Sequence, residues 1–216
     1  MTDRPIIFSG PMVRALLDGL KTQTRRVIKA PSAARLVYMP KGADHWLWTD
    51  GDGDSGSVRI PYAPGDRLYV REALQAVTEQ DADGTFADCI SYAADGAHPK
   101  DGLIQWPWQL DMVPSIFCPR WASRLTLTVT EVRVQRLQEI SEADAVAEGI
   151  WLHTLAGLSG WRDYATVDCM VKRYFSDPRQ SYASLWNSLH GPDAWGDNPW
   201  VVAVSFSVRQ RNIDAA

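Results

Sequence analysis

The chain has 216 residues, of which 45% are hydrophobic and 22% charged, an ordinary profile for one globular domain that buries a core without disulfide staples. A net charge of −4 weighs against a protein that grips a long polyanion along a basic face, and favours a small ligand or a short stretch of nucleic acid. The start of the chain lacks a basic-then-apolar leader, and no apolar run approaches the roughly 20 residues of a membrane span, so a cytoplasmic protein without a membrane partner is expected.

In chain order, Pro5 to Ser9 reads as a short apolar strand. Gly10-Pro11 then opens a helix on which Met12, Val13, Leu16, Leu17 and Leu20 share the inner face and Arg14 and Asp18 the wet one. Gly19 stands where a left-handed terminator belongs, and Lys21 to Ile28 is a tight exit into a strand. Arg35 to Met39 and Ser57 to Ile60 are weak strands, with Asp50 to Asp54 as a turn between them. The turn Pro64-Gly65-Asp66 leads into the alternating strand Arg67 to Glu72, and a further weak strand covers Cys89 to Ala93. Ala94 to Pro119, rich in Pro, Gly, Trp and Asp, reads as an ordered loop.

The strongest strand pattern runs from Arg124 to Leu137, with a phase slip near Glu131 that signals a bulge or bend. Ser141 to Asp144 resembles a capping box, opening a short helix that Gly149 ends. Helices near Tyr164 to Phe175 and Gln180 to Leu189 and a last strand from Pro199 to Val208 complete the order. Without strand–helix alternation, a curved and mostly antiparallel sheet with helices at its ends is expected, an α+β fold.

Two segments carry candidate chemistry. Gly19 to Arg26 packs two hydroxyls and three cations beyond a helix end, where cations also suit the negative end of the helix dipole. Lys21 and Thr24 are expected to share a side of that turn, and an amine beside a hydroxyl activates it or holds a developing oxyanion. In the second segment, Ile140 to Ile150, Glu142 and Asp144 fall in the first helical turn, where acids complement the dipole. Glu148 sits at the opposite end among small residues, against the dipole's preference, which marks it as a candidate for function beside the plainer reading of a solvated glutamate.

Together, Gly19-x-Lys21-x-x-Thr24-x-Arg26, Pro64-Gly65-Asp66 with its strand, the long strand Arg124 to Leu137, the helix Ser141 to Gly149 and the closing strand resemble the ASCH family. The Pro119 to Arg124 element and Trp-rich tail are similar to its longer, phage-encoded branch. The resemblance implies a PUA-like, mostly antiparallel β-barrel with helices flanking its ends, one domain over residues 1–216 with insertions near 40–60, 76–116 and 151–178. It implies a divided function. Some family members are amidohydrolases that deacylate N4-acetylcytidine with a lysine, a threonine and a glutamate, here Lys21, Thr24 and Glu148; others bind or cleave RNA. Thr22, Arg26, Arg120 and Arg124 are the candidate substrate-binding groups around that set.

No metal or cofactor is expected: the four histidines are scattered with no HxH or HExxH pair, and the three cysteines, Cys89, Cys118 and Cys169, form no CxxC. The expected partners are a nucleoside or nucleobase, or short single-stranded RNA. The paired tryptophans Trp46/Trp48 and Trp106/Trp108, read as loop residues, cover the core or form a base-stacking wall; Trp186, Trp195 and Trp200 are assigned to the core.

Overall fold

The computed structural model describes residues 2–30, 34–38, 45–80, 83–99, 104–155, 157–165 and 173–215. Its elements, in order, are strand β1 (Asp3–Ile7), helix α1 (Gly10–Leu17), β2 (Gln23–Val27), β3 (Arg35–Tyr38), β4 (His45–Thr49), β5 (Ser55–Arg59), β6 (Arg67–Arg71), β7 (Leu74–Gln80) and β8 (Phe86–Tyr92). There follow β9 (Met112–Val113), β10 (Thr126–Arg136), α2 (Glu142–Ala147), β11 (Leu152–Leu155), β12 (Leu158–Arg162), β13 (Tyr174–Phe175), α3 (Pro178–His190) and β14 (Trp200–Arg209). The protein is α+β. Its strands are mostly antiparallel, with β1 parallel beside β6, and among the described residues no helix is long and apolar enough to cross a membrane.

The chain forms two compact units, each assembled from separated segments. The first comprises Met1–Gly19, Gly65–Val129 and Ser207–Ala216. Here β6 lies between β1, in parallel, and the start of β10, in antiparallel register with Leu127 opposite Leu68. Alternation on these strands buries Leu68, Val70, Leu125 and Leu127 completely. The antiparallel trio β8-β7-β9 adds a second cluster of Leu74, Ile90, Tyr92, Val113 and Cys118, on which Trp106 and Trp108 pack.

The second unit comprises Leu20–Pro64 and Thr130–Phe206. Its strands β2 and β14 are antiparallel, with Thr24 opposite Val204 and Arg25 opposite Ala203. Two local meanders, β3-β4-β5 and β11-β12-β13, hang on consecutive antiparallel pairings. Helix α2 packs on both β2 and α3.

Several expectations shift. Leu20 is exposed, because Gly19 adopts a left-handed φ of 71° and ends α1 before the chain could place Leu20 on its inner face. The helix expected near Tyr164 to Phe175 is not formed in its described part: Tyr174 and Phe175 are strand β13, paired with Arg162 and Trp161. Residues 166–172 of that expectation lie outside the described residues, as does Met39. Tyr174 crosses directly over Gly160, where a Cβ would stand 2.7 Å from the tyrosine's own, so close strand pairing there is open only to glycine. Trp46 and Trp48 sit on strand β4, which the composition hid, and Asp50 to Asp54 joins β4 to β5. Of the tryptophans assigned to the core, Trp186 is buried, while Trp195 and Trp200 are half-buried. On β10 the slip shows as two successive exposed residues, Thr130 and Glu131.

Helix α2 is short, so its ends matter. The Ser141 hydroxyl accepts from the Asp144 amide at 3.1 Å, and Gly149, at φ 83°, closes the far end. Ser141→Ala is expected to lower the free energy of urea unfolding by about 1 kcal/mol, whereas Ser141→Asp keeps most of it.

Candidate functional site

The site is built where α2 ends against the approach to β2. Thr22 donates its amide to the Ala147 carbonyl at 2.8 Å and accepts at its own carbonyl from the Phe206 amide at 2.9 Å. These backbone bonds hold Lys21 opposite Glu148 in a strand-like bridge, although the two are 127 residues apart. Lys21 is 1% exposed and Glu148 3%. The Lys21 Nζ donates to Glu148 Oε2 at 2.8 Å and to the Glu148 carbonyl oxygen at 2.8 Å. Glu148 is also the C-cap of α2, so one ammonium answers both the buried carboxylate and the negative helix end.

Arg25 completes the arrangement. Its Nη1 donates to Glu148 Oε1 at 3.0 Å and to Gln23 Oε1 at 2.6 Å, and its Nη2 to Asp144 Oδ2 at 3.1 Å. Gln23 turns its amide nitrogen to Asp144 Oδ1 and to the Ser205 hydroxyl, and Arg133 donates to the same Asp144 oxygen at 2.9 Å. The guanidinium of Arg25 lies 5.9 Å from the centre of the buried Tyr182 ring. Three cations therefore meet two carboxylates, with every carboxylate oxygen engaged.

Desolvation controls the electrostatics. Burial pushes the Lys21 ammonium below its ordinary value, Glu148 opposes this, and the charges of Arg26 and Arg25 add to the fall. Tyr182 is driven far up, first by burial and then by the Glu148 charge. For Asp144 burial acts upward, yet the hydrogen bonds from Arg133 and Gln23 outweigh it and hold the carboxyl below its usual value.

The candidate residues separate. Lys21 and Glu148 are brought together. Thr24 is buried but lies on the other face of β2: Gln23 and Arg25 reach towards α2, and strand alternation turns Thr24 away, alongside Val204. Among the described residues no hydrogen bond joins its hydroxyl to Lys21 or Glu148. The chain is already extended at Lys21, so the tight turn that would have put Lys21 and Thr24 on one side does not form. Thr22 is exposed, and Arg26 is half-buried.

Arg120 and Arg124 belong to the first unit, where each is taken up by two acids. Arg120 bridges Asp3 at 2.7 Å and Asp214 at 2.6 Å. Arg124 is bidentate to Glu72, at 2.8 and 2.9 Å, and to Asp95, at 2.9 and 3.0 Å, while lying 4.0 Å over the Tyr92 ring. Trp106 and Trp108 meet edge-on at 4.7 Å between ring centres and cover the core of that unit.

Sequence reasoning missed Gln23, Arg25 and Asp144, but their signal was present. Lys21, Gln23 and Arg25 are spaced by two, one face of a strand, and Asp144 and Glu148 by four, one face of a helix. Among the described residues no group of three or more His, Cys, Asp or Glu is placed to hold a metal ion. Comparison with protein-family models, with curated proteins and with solved structures finds no match for the chain.

Two outcomes test the network. Lys21→Met is expected to cost about 3–5 kcal/mol in urea unfolding, because it strands a buried carboxylate, and adding Glu148→Gln should return part of that loss as a coupling energy in a double-mutant cycle. The stability contributed by the Asp144 carboxylate is complete above its unfolded-state value of 3.8 and is lost as pH falls through the lowered folded value. Asp144→Asn should therefore flatten the dependence of unfolding free energy on pH below about pH 4.

Proposed function

We propose that the chain is a metal-independent amide hydrolase acting on an acylated cytidine-type base, on an ASCH-like domain whose strands form a PUA-like barrel. The observation that carries this reading is the buried 2.8 Å contact between the Lys21 ammonium and the Glu148 carboxylate, made by the two segments in which the sequence concentrates its candidate chemistry.

The chemistry is that of amide cleavage. A water oxygen attacks the acyl carbon and its proton passes to Glu148. The Lys21 ammonium, near where the oxyanion grows, holds the negative charge of the tetrahedral intermediate. The carbon–nitrogen bond then breaks, N4 of the cytosine takes the proton from Glu148, and carboxylic acid and cytidine leave. Water serves as nucleophile because Thr24 faces away from the pair. Substrate entry has to displace one contact of the carboxylate, and Arg25, held by Asp144 and Gln23 as well, is the partner that can stay charged and satisfied without Glu148.

A second reading is a module that holds a modified base or short RNA without chemistry. It is favoured by the closed network itself: both Glu148 oxygens are already engaged, as in a wall that shapes a pocket.

Incubation with N4-acetylcytidine, with cytidine detected by mass, separates the two. Turnover should fall at least ~10²-fold in Lys21→Ala and Glu148→Gln, with circular dichroism melting to confirm that each variant folds, and stay within about tenfold in Thr24→Ala. A folded Glu148→Gln variant with full activity overturns the hydrolytic role; an inert wild type that binds the nucleoside supports the reader.

A further inference from the structure

The first unit exposes an apolar face that its own core does not account for. Leu110, Met112, Ile116, Phe117 and Trp121 are each between 51% and 71% exposed. Their backbone is held firmly. Met112 lies on β9, paired with Gln75 of β7. The Arg71 side chain donates to the carbonyls of Ile116 and Cys118, and the Tyr92 hydroxyl to that of Ala122 at 3.0 Å. The Asn212 amide donates to the carbonyls of Arg120, Trp121 and Ser123. The Trp106 indole donates to the Leu110 carbonyl at 2.9 Å and meets Trp108, which lies within 10° of parallel to Trp121 at 6.4 Å between centres. These contacts set the exposed side chains on a fixed frame and link the two ends of the segment.

Single apolar side chains at a surface are ordinary, but five from one short segment make a patch, and patches of several hundred Å² on soluble proteins mark contact sites. At these exposures the five side chains offer on the order of 500 Å² of apolar surface. A stable dimer buries about 800 Å² on each partner, somewhat over half of it apolar, so this face alone supplies the apolar part of such an interface. Its composition is that of an interface core. Aromatic residues and methionine are prominent, and from Ile104 to Trp121 the charged side chains are Asp111 and Arg120. Arg120 is already taken by Asp3 and Asp214. Single-stranded nucleic acid calls for cations beside the rings, whereas Leu110, Met112 and Ile116 carry no donor for a phosphate. An apolar partner fits, and a second copy of the chain brings one of matching size by symmetry, with no charge to be matched.

We propose that this face is the contact of a two-fold symmetric homodimer, in which the five side chains of one chain cover those of the other with Phe117 and Trp121 as the aromatic anchors. The inference goes beyond the proposed hydrolysis and does not depend on it, since Lys21 and Glu148 take no part.

Sedimentation equilibrium of the intact protein, at concentrations on the order of 1–100 μM, tests it. The mass should rise from that of one chain to that of two and stop there. Phe117→Asp should raise the dimer dissociation constant at least ~10²-fold, because the two-fold axis brings two carboxylates into one apolar contact. Circular dichroism melting confirms that the variant folds. Leu189→Asp, at a comparably exposed position on α3, should leave the dissociation constant unchanged. A further readout needs no variant: peroxide oxidation of Met112, followed by mass, should fall at the concentrations where the dimer forms. One chain mass throughout overturns the dimer, and a series of masses that grows past two overturns its symmetry. A folded Phe117→Asp variant that still dimerises overturns the face, as does equal weakening by Leu189→Asp or Met112 oxidised equally at both ends of the range. A monomer whose affinity for oligocytidine, or for phosphatidylcholine vesicles, falls in Phe117→Asp gives the face to that partner and overturns the dimer.

Discussion

Glu148 is a carboxylate held almost wholly out of water at the negative end of a helix, and much of the second unit is arranged around meeting its charge. An unmatched anion there would be neutralised or expelled, since desolvation costs several kcal/mol per ion. Lys21 and Arg25 answer it from the approach to β2 and from β2 itself, and Arg25 is in turn steadied by Gln23 and Asp144. Ser205 on β14 orients Gln23, and the Tyr182 ring on α3 covers the guanidinium. One ionised group thereby ties a strand pair and two helices into a single electrostatic unit, which fixes geometry more than it adds stability.

The first unit uses the same device on different elements. Arg124 is shared by Glu72 and Asp95 and lies over Tyr92, as Arg25 is shared by Glu148 and Asp144 and lies near Tyr182. Burial raises the Glu72 carboxyl, and Arg124 offsets only part of the rise. The contrast lies in the third partner. Glu148 has a lysine as well, whose ammonium is pushed below its ordinary value by burial while Glu148 opposes the fall.

Much of the frame could be read from the chain. Helix α1 with its glycine stop, β6 after Pro64-Gly65-Asp66, the long β10, α2 between Ser141 and Gly149, α3 and β14 all follow from periodicity and caps, because each signal is local. Strands β4, β7, β9 and the β11-β12-β13 meander escaped; His45 to Thr49 carries a tryptophan pair that reads equally as surface cover, and Leu74 to Gln80 alternates weakly. The pairing of Lys21 with Glu148 was legible from motif and dipole arguments. Thr24 was misplaced and Asp144 undervalued for one shared reason: a turn was assumed where the chain is extended, and the period of two that puts Lys21, Gln23 and Arg25 on one face was not applied. The fate of Arg120 and Arg124 depended on which acids folding would bring to them from far along the chain, and no local pattern carries that.

The meanders β3-β4-β5 and β11-β12-β13 are each built by pairing strands that are neighbours in sequence, so forming them costs little loop-closure entropy compared with the long-range pairs. Among the described residues neither contributes a side chain to the ion network. Such ornaments can be lengthened, shortened or exchanged during evolution without rewiring the charges at Glu148, and a lineage that retains the network while varying these hairpins can change what its surface recognises at small thermodynamic risk.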